Sequence, residues 1–264
     1  MNNEELNPKN FGWDQWPRPT TGLCEFRILH GSLMKTNKFY EDNFNPTEMY
    51  KINRQGQRCD ELKKNHDGLH ILFAGCSVTM GEGIFIEETW SNILYNKINN
   101  ETKCSGYFNV AQSGMTRTDI IRQVVAYIEE YGPPDYLFIS WPDVGRGVRR
   151  MRTEDDKEFY YAESVMLSLF TGFLEARGVR FFSFSWVDDV NSVEDDPIYN
   201  LKNFSDYNND ELDLYLFKNK DKSMEWMRAR DFSHPGVGQN RFWSELMYNA
   251  YINFNGIIEE TKEK

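Results

Sequence analysis

The sequence predicts an α/β protein in which a mainly parallel sheet of about five strands lies between two layers of helices. Short apolar runs that end in glycine- or proline-containing turns alternate with stretches whose apolar residues recur at helical spacing. A strand, a helix and a second strand in this order normally form a right-handed unit with parallel strands. The chain has 264 residues, which is enough for one large core. We therefore expect a three-layer α/β/α sandwich.

Four apolar runs predict the strands of this sheet. They cover residues 71–74, 106–110, 135–141 and 179–186. Ligands of open parallel sheets bind beyond the carboxyl ends of the strands. The residues expected at that edge are Ser77, Gly114, Asp143 and the loop that carries His234.

Helical spacing predicts four main helices. The first begins near Trp90, and the second starts at a capping box formed by Thr116 and Asp119. The third spans residues 157–177 and is closed by a glycine. The fourth follows the His234 loop and is expected to end at Gly256, a residue type that often terminates helices.

One main domain is predicted, with additions at both ends. Residues 1–66 are rich in Asn, Pro, Gly and charge, with single aromatic residues between them. They predict an N-terminal extension packed on the domain of residues 67–256, with short strands at 24–29 and 50–53. Residues 257–264 form a charged tail.

Charge and composition exclude several classes of partner. The net charge of −11 repels nucleic-acid phosphates and anionic membrane surfaces, so neither is an expected partner. The sequence shows no signal peptide and no apolar run of membrane-spanning length, which predicts a cytoplasmic protein. The cysteines and histidines lack metal-ligand spacing, so no metal or other cofactor is predicted.

Residues 187–225 are an acidic stretch expected to be a long connection.

Two short segments carry groups suited to nucleophilic catalysis. Ser77 follows the first strand after Gly75 and Cys76, and a serine becomes a nucleophile when a base takes its proton. Asp231 and His234 lie three positions apart before a helix, so that the carboxylate can orient the imidazole. Each segment also has a structural interpretation, as a tight turn or as a helix cap. The Ser77 turn lacks the lysine of a phosphate-binding P-loop.

Taken together, the segments FAGCSVTMGEG, NVAQSGMT, LFISWPD and DFSHPG resemble, in order, the four sequence blocks of the SGNH, or GDSL-like, hydrolases. The resemblance implies a flavodoxin-like three-layer fold. It also implies that Ser77 is the nucleophile, His234 the base and Asp231 the orienting acid. The backbone N–H groups of Ser77 and Gly114 would stabilise the oxyanion.

Two positions depart from the family pattern. Cys76 stands where the family usually has an acid, and Pro142 stands where an asparagine amide usually donates to the oxyanion. Proline has neither a backbone N–H nor a side-chain donor. The further candidate contacts for the oxyanion or the substrate are Asn109, Trp141, Asp143 and Arg146.

Three functions are consistent with these residues. The first is a serine esterase or carbohydrate O-deacetylase that cleaves a small-molecule or glycan ester through an acyl-enzyme. The second is an acyltransferase that uses the same acyl-enzyme. The third is a catalytically weak glycan-binding or structural module that retains the fold. The sequence predicts no oligomeric state.

Overall fold

The computed structural model describes residues 50–142, 156–186, 198, 201, 203–207, 209–219, 229 and 234–262. Most of the predicted N-terminal extension, including the strand expected at 24–29, lies outside the described residues. The candidate site residues Asp143, Arg146 and Asp231 also lie outside them.

The central sheet is parallel, as predicted. Its strands, in the spatial order β2-β1-β3-β4, are β1 (Ile71–Gly75), β2 (Phe108–Asn109), β3 (Tyr136–Trp141) and β4 (Arg180–Ser185). Next to β4, a single parallel bridge joins Ser183 to Phe204. Within the described residues the sheet therefore has four strands and one bridge at the fifth position, where the sequence predicted about five strands.

Helices occupy the segments between the strands, and two more follow β4. They are α1 (Ser77–Met80), α2 (Trp90–Glu101), α3 (Arg117–Tyr131), α4 (Asp156–Ala176), α5 (Asn209–Lys218) and α6 (Val237–Lys262), with a 3-10 turn at Ile86–Glu88. The four predicted helices correspond to α2, α3, α4 and α6. The capping box of α3 is confirmed: the Asp119 N–H donates to Thr116 Oγ1 at 3.3 Å, and the Thr116 N–H donates to Asp119 Oδ2 at 3.0 Å.

Aromatic side chains fill the space between the sheet and its helices. Phe73, Phe138 and Phe182 stack in a row across three strands, with centroid separations of 5.6 and 5.3 Å. Trp90 of α2 meets Phe73 edge-on, which places α2 over this face of the sheet. Trp141 alternates to the other face and packs against α4. Both faces are therefore covered, and the predicted three-layer architecture is confirmed.

The predicted end of the last helix is wrong. Helix α6 continues through Gly256 to Lys262. Tertiary contacts hold the chain just before this glycine: Phe254 packs edge-on against Phe182, and Asn255 Oδ1 accepts a hydrogen bond from Tyr136 at 2.7 Å. A glycine lowers helix stability by only about 1 kcal/mol, so it does not stop an anchored helix.

Helix α5 was not predicted, because it lies within the acidic stretch that was expected to be a connection. Its tertiary contacts explain why it forms. Leu216 is buried, and the Tyr215 ring lies 5.4 Å from the ring of Phe242 on α6. Packing against another helix stabilises a segment whose own hydrophobic pattern is weak.

Candidate active site

Ser77 is the first residue of α1, directly beyond the carboxyl end of β1. Its side chain is buried, and its hydroxyl lies 4.0 Å from Cys76 Sγ. The Ser77 carbonyl accepts hydrogen bonds from the N–H groups of Gly81, at 2.9 Å, and Glu82, at 3.0 Å. We name residues 77–84 the Ser77 loop. Because two N–H groups of this loop bond back to the Ser77 carbonyl, the position of the Ser77 hydroxyl depends on the conformation of the whole loop.

Gly75 allows this sharp turn from strand to helix. A Cβ atom at residue 75 would lie 2.1 Å from Thr79 Oγ1 and 2.7 Å from Thr79 Cβ. Real side chains do not approach so closely, and the β-branched Thr79 has little rotamer freedom inside a helix. The glycine before Cys76 and Ser77 is thus required by close packing between α1 and the end of β1.

Two buried side chains from outside the Ser77 loop hold its backbone. Arg58 donates to three carbonyl oxygens of the loop: those of Met80 (2.9 Å), Gly81 (2.6 Å) and Ile84 (2.9 Å). The Tyr50 hydroxyl accepts a hydrogen bond from the Gly83 N–H at 2.6 Å. The Arg58 guanidinium also lies 4.6 Å from the centroid of the Tyr50 ring. These contacts fix the loop that carries the candidate nucleophile.

His234 lies in the segment that precedes α6. Its carbonyl accepts from the Ala229 N–H at 3.0 Å. Asn240, in the first turn of α6, accepts from the Trp90 N–H at 3.0 Å and donates to the Gly236 carbonyl at 2.9 Å. The segment that carries the candidate base is thereby attached to the start of α2, just after the Ser77 loop.

The His234 ring contacts the Ser77 loop through Glu82. Glu82 Oε2 lies 3.0 Å from His234 Nε2, and the Glu82 side chain is only 2% exposed. The two predicted segments are therefore in contact through the Glu82 carboxylate of the Ser77 loop. The sequence analysis gave no role to this residue. The available signal was a charged residue between two glycines, Gly81 and Gly83, immediately after the candidate nucleophile.

Gly114 lies in the exposed turn that precedes α3, with a positive φ of 76° that favours glycine. Asn109 is buried beside the Ser77 loop. Its amide nitrogen donates to the Thr79 carbonyl at 3.0 Å and to the Tyr107 hydroxyl at 2.9 Å. Trp141 is fully buried against α4. A role for any of the three in binding the oxyanion or substrate stays a prediction.

A buried ion pair that the sequence analysis did not identify joins α3 to α4 beside the end of β3. Arg117 Nη1 lies 3.0 Å from Glu163 Oε2, and both side chains are almost fully buried. Arg117 Nε also donates to the Pro142 carbonyl at 3.1 Å. This arginine therefore links the start of α3, the residue that follows β3 and α4.

The described residues contain no group of three or more His, Cys, Asp or Glu side chains able to hold a metal ion. Three thiols in the described part of the chain are free: Cys59, Cys76 and Cys104. Burial raises the pKa of Cys59 to about 12 and that of Cys104 to about 11, so both are protonated at neutral pH. No helix in the described ranges is both long and apolar enough to cross a lipid bilayer.

No family model matches the chain, and no curated protein matches it. Solved structures do resemble it. The esterase EstA from Pseudoalteromonas sp., in a form inhibited by monoethylphosphonate, has a TM-score of 0.50 and 16% identity over 70% of this chain and 98% of its own. An acetyl xylan esterase has a TM-score of 0.44 and 18% identity, covering 68% of this chain and 98% of its own.

A protein assigned to the G-D-S-L lipolytic family, from Desulfitobacterium hafniense, has a TM-score of 0.44 and 12% identity, again over 68% of this chain and 98% of its own. Esterases and lipases of the GDSL or SGNH type thus recur among the similar structures. The chain has the fold of the SGNH hydrolases, as its four sequence blocks predicted.

Proposed function

We propose that this chain is a serine hydrolase that cleaves a small ester through an acyl-enzyme. Ser77 Oγ attacks the ester carbonyl, and His234 accepts the hydroxyl proton and returns it to the leaving alcohol. Water, deprotonated by His234, then releases the acid. The N–H groups of Ser77 and Gly114 stabilise the oxyanion, and a carboxylate, which the family pattern assigns to Asp231, orients the imidazole.

The observation that carries this proposal is the docking of the His234 segment on the Ser77 loop. The Glu82 carboxylate of that loop lies 3.0 Å from the His234 ring, and the Glu82 N–H bonds to the Ser77 carbonyl at 3.0 Å. A serine at the carboxyl end of a central parallel strand, with an imidazole in contact with the loop of that serine, supports a role in acyl transfer.

The proposed substrate is a short-chain ester, such as an acetyl ester of a small molecule or glycan. Ser77 is only 1% exposed, so a short acyl group reaches the hydroxyl with the least displacement of neighbouring residues. An acyltransferase would use the same acyl-enzyme and differ only in its acceptor, a sugar hydroxyl in place of water.

Pro142 favours a second candidate, a catalytically weak glycan-binding module. Its carbonyl accepts from Arg117, and as a proline it offers no donor to an oxyanion. Loss of one oxyanion donor lowers kcat by a factor on the order of 10²–10³. The chain would then bind a glycan and hydrolyse esters only slowly.

Labelling by a fluorophosphonate probe, together with hydrolysis of p-nitrophenyl acetate, tests the proposal. Wild type should show both reactions, and Ser77→Ala and His234→Ala should each abolish both. Ser168→Ala, at an exposed serine on α4, is the matched control and should retain both. A folded wild type that neither labels nor turns over supports the binding module. Acetylated sugar formed from the ester and a free sugar identifies an acyltransferase.

A further inference from the structure

We propose that Asn109 is a positioning residue that sets the distance between the two N–H groups of the proposed oxyanion site, those of Ser77 and Gly114. The inference rests on the proposed function, because it concerns the same acyl transfer. Asn109 would touch neither the substrate nor the oxyanion. It would act through the backbone, since its side chain bonds both to α1, which begins at Ser77, and to the turn that leads to Gly114.

Both amide hydrogens of Asn109 have acceptors. The amide nitrogen donates to the Thr79 carbonyl at 3.0 Å and to the Tyr107 hydroxyl at 2.9 Å, and Oδ1 accepts from the Ala111 N–H at 2.9 Å. These partners fix the orientation of the amide, because the reversed amide would place its oxygen against the Thr79 carbonyl and its hydrogens against the Ala111 N–H. With both hydrogens in use, Asn109 is better suited to hold the backbone than to donate to an oxyanion.

The contact with Thr79 holds α1, the single helical turn that begins at Ser77. In a longer helix the N–H four positions on would bind the Thr79 carbonyl, but here that N–H donates to Tyr50 Oη. The Thr79 carbonyl instead accepts from Asn109 at 3.0 Å and from Ser91 Oγ at 3.4 Å. Because α1 is one turn long, a shift of its Thr79 carbonyl displaces Ser77 as well.

The contact with Ala111 holds the turn between β2 and Gly114. Asn109 is the last residue of β2, and its side-chain oxygen binds the N–H two positions on, a local bond that asparagine commonly makes in turns. Ala111 also packs in a buried cluster with Met80, the last residue of α1. The side chain that holds α1 therefore also holds the backbone three residues before Gly114.

The distance between the two N–H groups matters because charge develops on the substrate oxygen. When Ser77 Oγ bonds to the carbonyl carbon, its proton moves to His234, and the π electron pair of the carbonyl moves to the oxygen, which the N–H groups stabilise. As the carbonyl re-forms, the ester C–O bond breaks and the alcohol leaves with the proton from His234. Pro142 has no N–H or side-chain donor to add, so the site depends on its backbone donors.

The test is Asn109→Ala in the full chain, assayed with p-nitrophenyl acetate at a temperature at which the variant is folded. We expect kcat to fall about a hundredfold and KM to change less than about threefold, because the two donors act mainly on the transition state. Inhibition by a trifluoromethyl ketone, which forms a tetrahedral adduct with a serine, should weaken by the same factor as kcat/KM. If Asn109→Ala does not fold, Asn109→Leu takes its place, since leucine fills nearly the same volume.

Tyr107→Phe is the matched control. It removes one acceptor of the Asn109 amide and leaves the contacts with Thr79 and Ala111, so it disturbs the same buried group without releasing α1 or the turn. Its kcat should stay within about threefold of wild type. An equal loss of kcat in both variants, an effect confined to KM, or unchanged kinetics of Asn109→Ala overturns the inference.

Amide NMR spectra give a readout that needs no turnover. In Asn109→Ala the N–H resonances of both Ser77 and Gly114 should shift, and in Tyr107→Phe both should stay close to those of wild type. If either resonance is unmoved in Asn109→Ala, the side chain does not position both donors and the inference fails. A wild type that neither hydrolyses the ester nor reacts with a fluorophosphonate refutes the proposed function, and these resonances then decide the inference.

Discussion

The side-chain oxygen of Asn240 accepts a hydrogen bond from the backbone N–H of Trp90 at 3.0 Å, across 150 positions of the chain. The amide nitrogen of Asn240 donates to the carbonyl of Gly236, two residues after His234. Trp90 begins the helix that follows the Ser77 loop. One buried amide thus couples the segments of the candidate nucleophile and the candidate base.

Replacing Asn240 should weaken both the fold and the reaction. Asn240→Ala leaves the buried Trp90 N–H without its side-chain acceptor and removes one of the two donors to the Gly236 carbonyl, which costs about 2 kcal/mol in the free energy of unfolding. We also expect kcat to fall about tenfold, because small displacements of catalytic groups are costly. Urea denaturation and ester hydrolysis measure the two effects. Asn249→Ala, exposed on the same helix, should change neither, and equal losses in both variants would contradict the prediction.

Arg58 should be a major contributor to stability. Arg58→Met keeps the apolar stem of the side chain but removes the guanidinium that donates to three loop carbonyls, so the free energy of unfolding should fall by about 3 kcal/mol or more. Thermal and urea unfolding provide the measurement. The control is Arg54→Met, since the Arg54 side chain is 79% exposed and its ion pair with Glu61 lies at the surface. A loss of less than about 1 kcal/mol in Arg58→Met would refute this structural role.

Two glycine substitutions should have opposite effects on stability. Gly75→Ala forces a methyl group to within 2.7 Å of Thr79 Cβ, so we expect a loss of about 2 kcal/mol or more and a marked fall in esterase rate. Gly172→Ala, on the exposed face of α4, meets no atom within 4 Å and should gain up to about 1 kcal/mol from helix propensity. Differential scanning calorimetry of both variants tests this. An equally stable Gly75→Ala would show that α1 can shift away from β1.

His70 should make the fold sensitive to acid. Its ring is buried, stacks on His66 at 3.5 Å and lies 2.7 Å from the Tyr127 hydroxyl. Burial, followed by the charge of His66, lowers the pKa of His70 to about 4 from 6.5. Between these values the unfolded chain binds the proton more tightly, so stability is complete above pH 6.5 and falls as the pH decreases. The linkage predicts a loss of about 2 kcal/mol at pH 5.

The variant His70→Gln tests this dependence, because glutamine does not titrate and its amide can still bond to Tyr127. Urea unfolding at pH 7.5 and pH 5.0 should show a smaller difference for the variant than for wild type. If the two proteins lose the same free energy between these pH values, other groups cause the acid sensitivity.

Elements with strong local signals were predicted well from the sequence. The capping box of Thr116 and Asp119 marks the start of α3 because both of its hydrogen bonds join residues three positions apart. The end of α6 and the existence of α5 were missed for the opposite reason. Gly256 does not stop its helix where Phe254 and Asn255 are anchored, and α5 depends on the contact between Tyr215 and Phe242.

The sequence by itself determined the alternation of strands and helices, the parallel sheet and the position of Ser77 after the first strand. These features depend on hydrophobic periodicity and on residues that are neighbours in the chain. Only the tertiary structure decided that Glu82 meets His234, that Arg58 holds the Ser77 loop and that Asn240 joins Trp90. Such partners are far apart in sequence, and the packing of helices on the sheet selects which buried polar groups face each other.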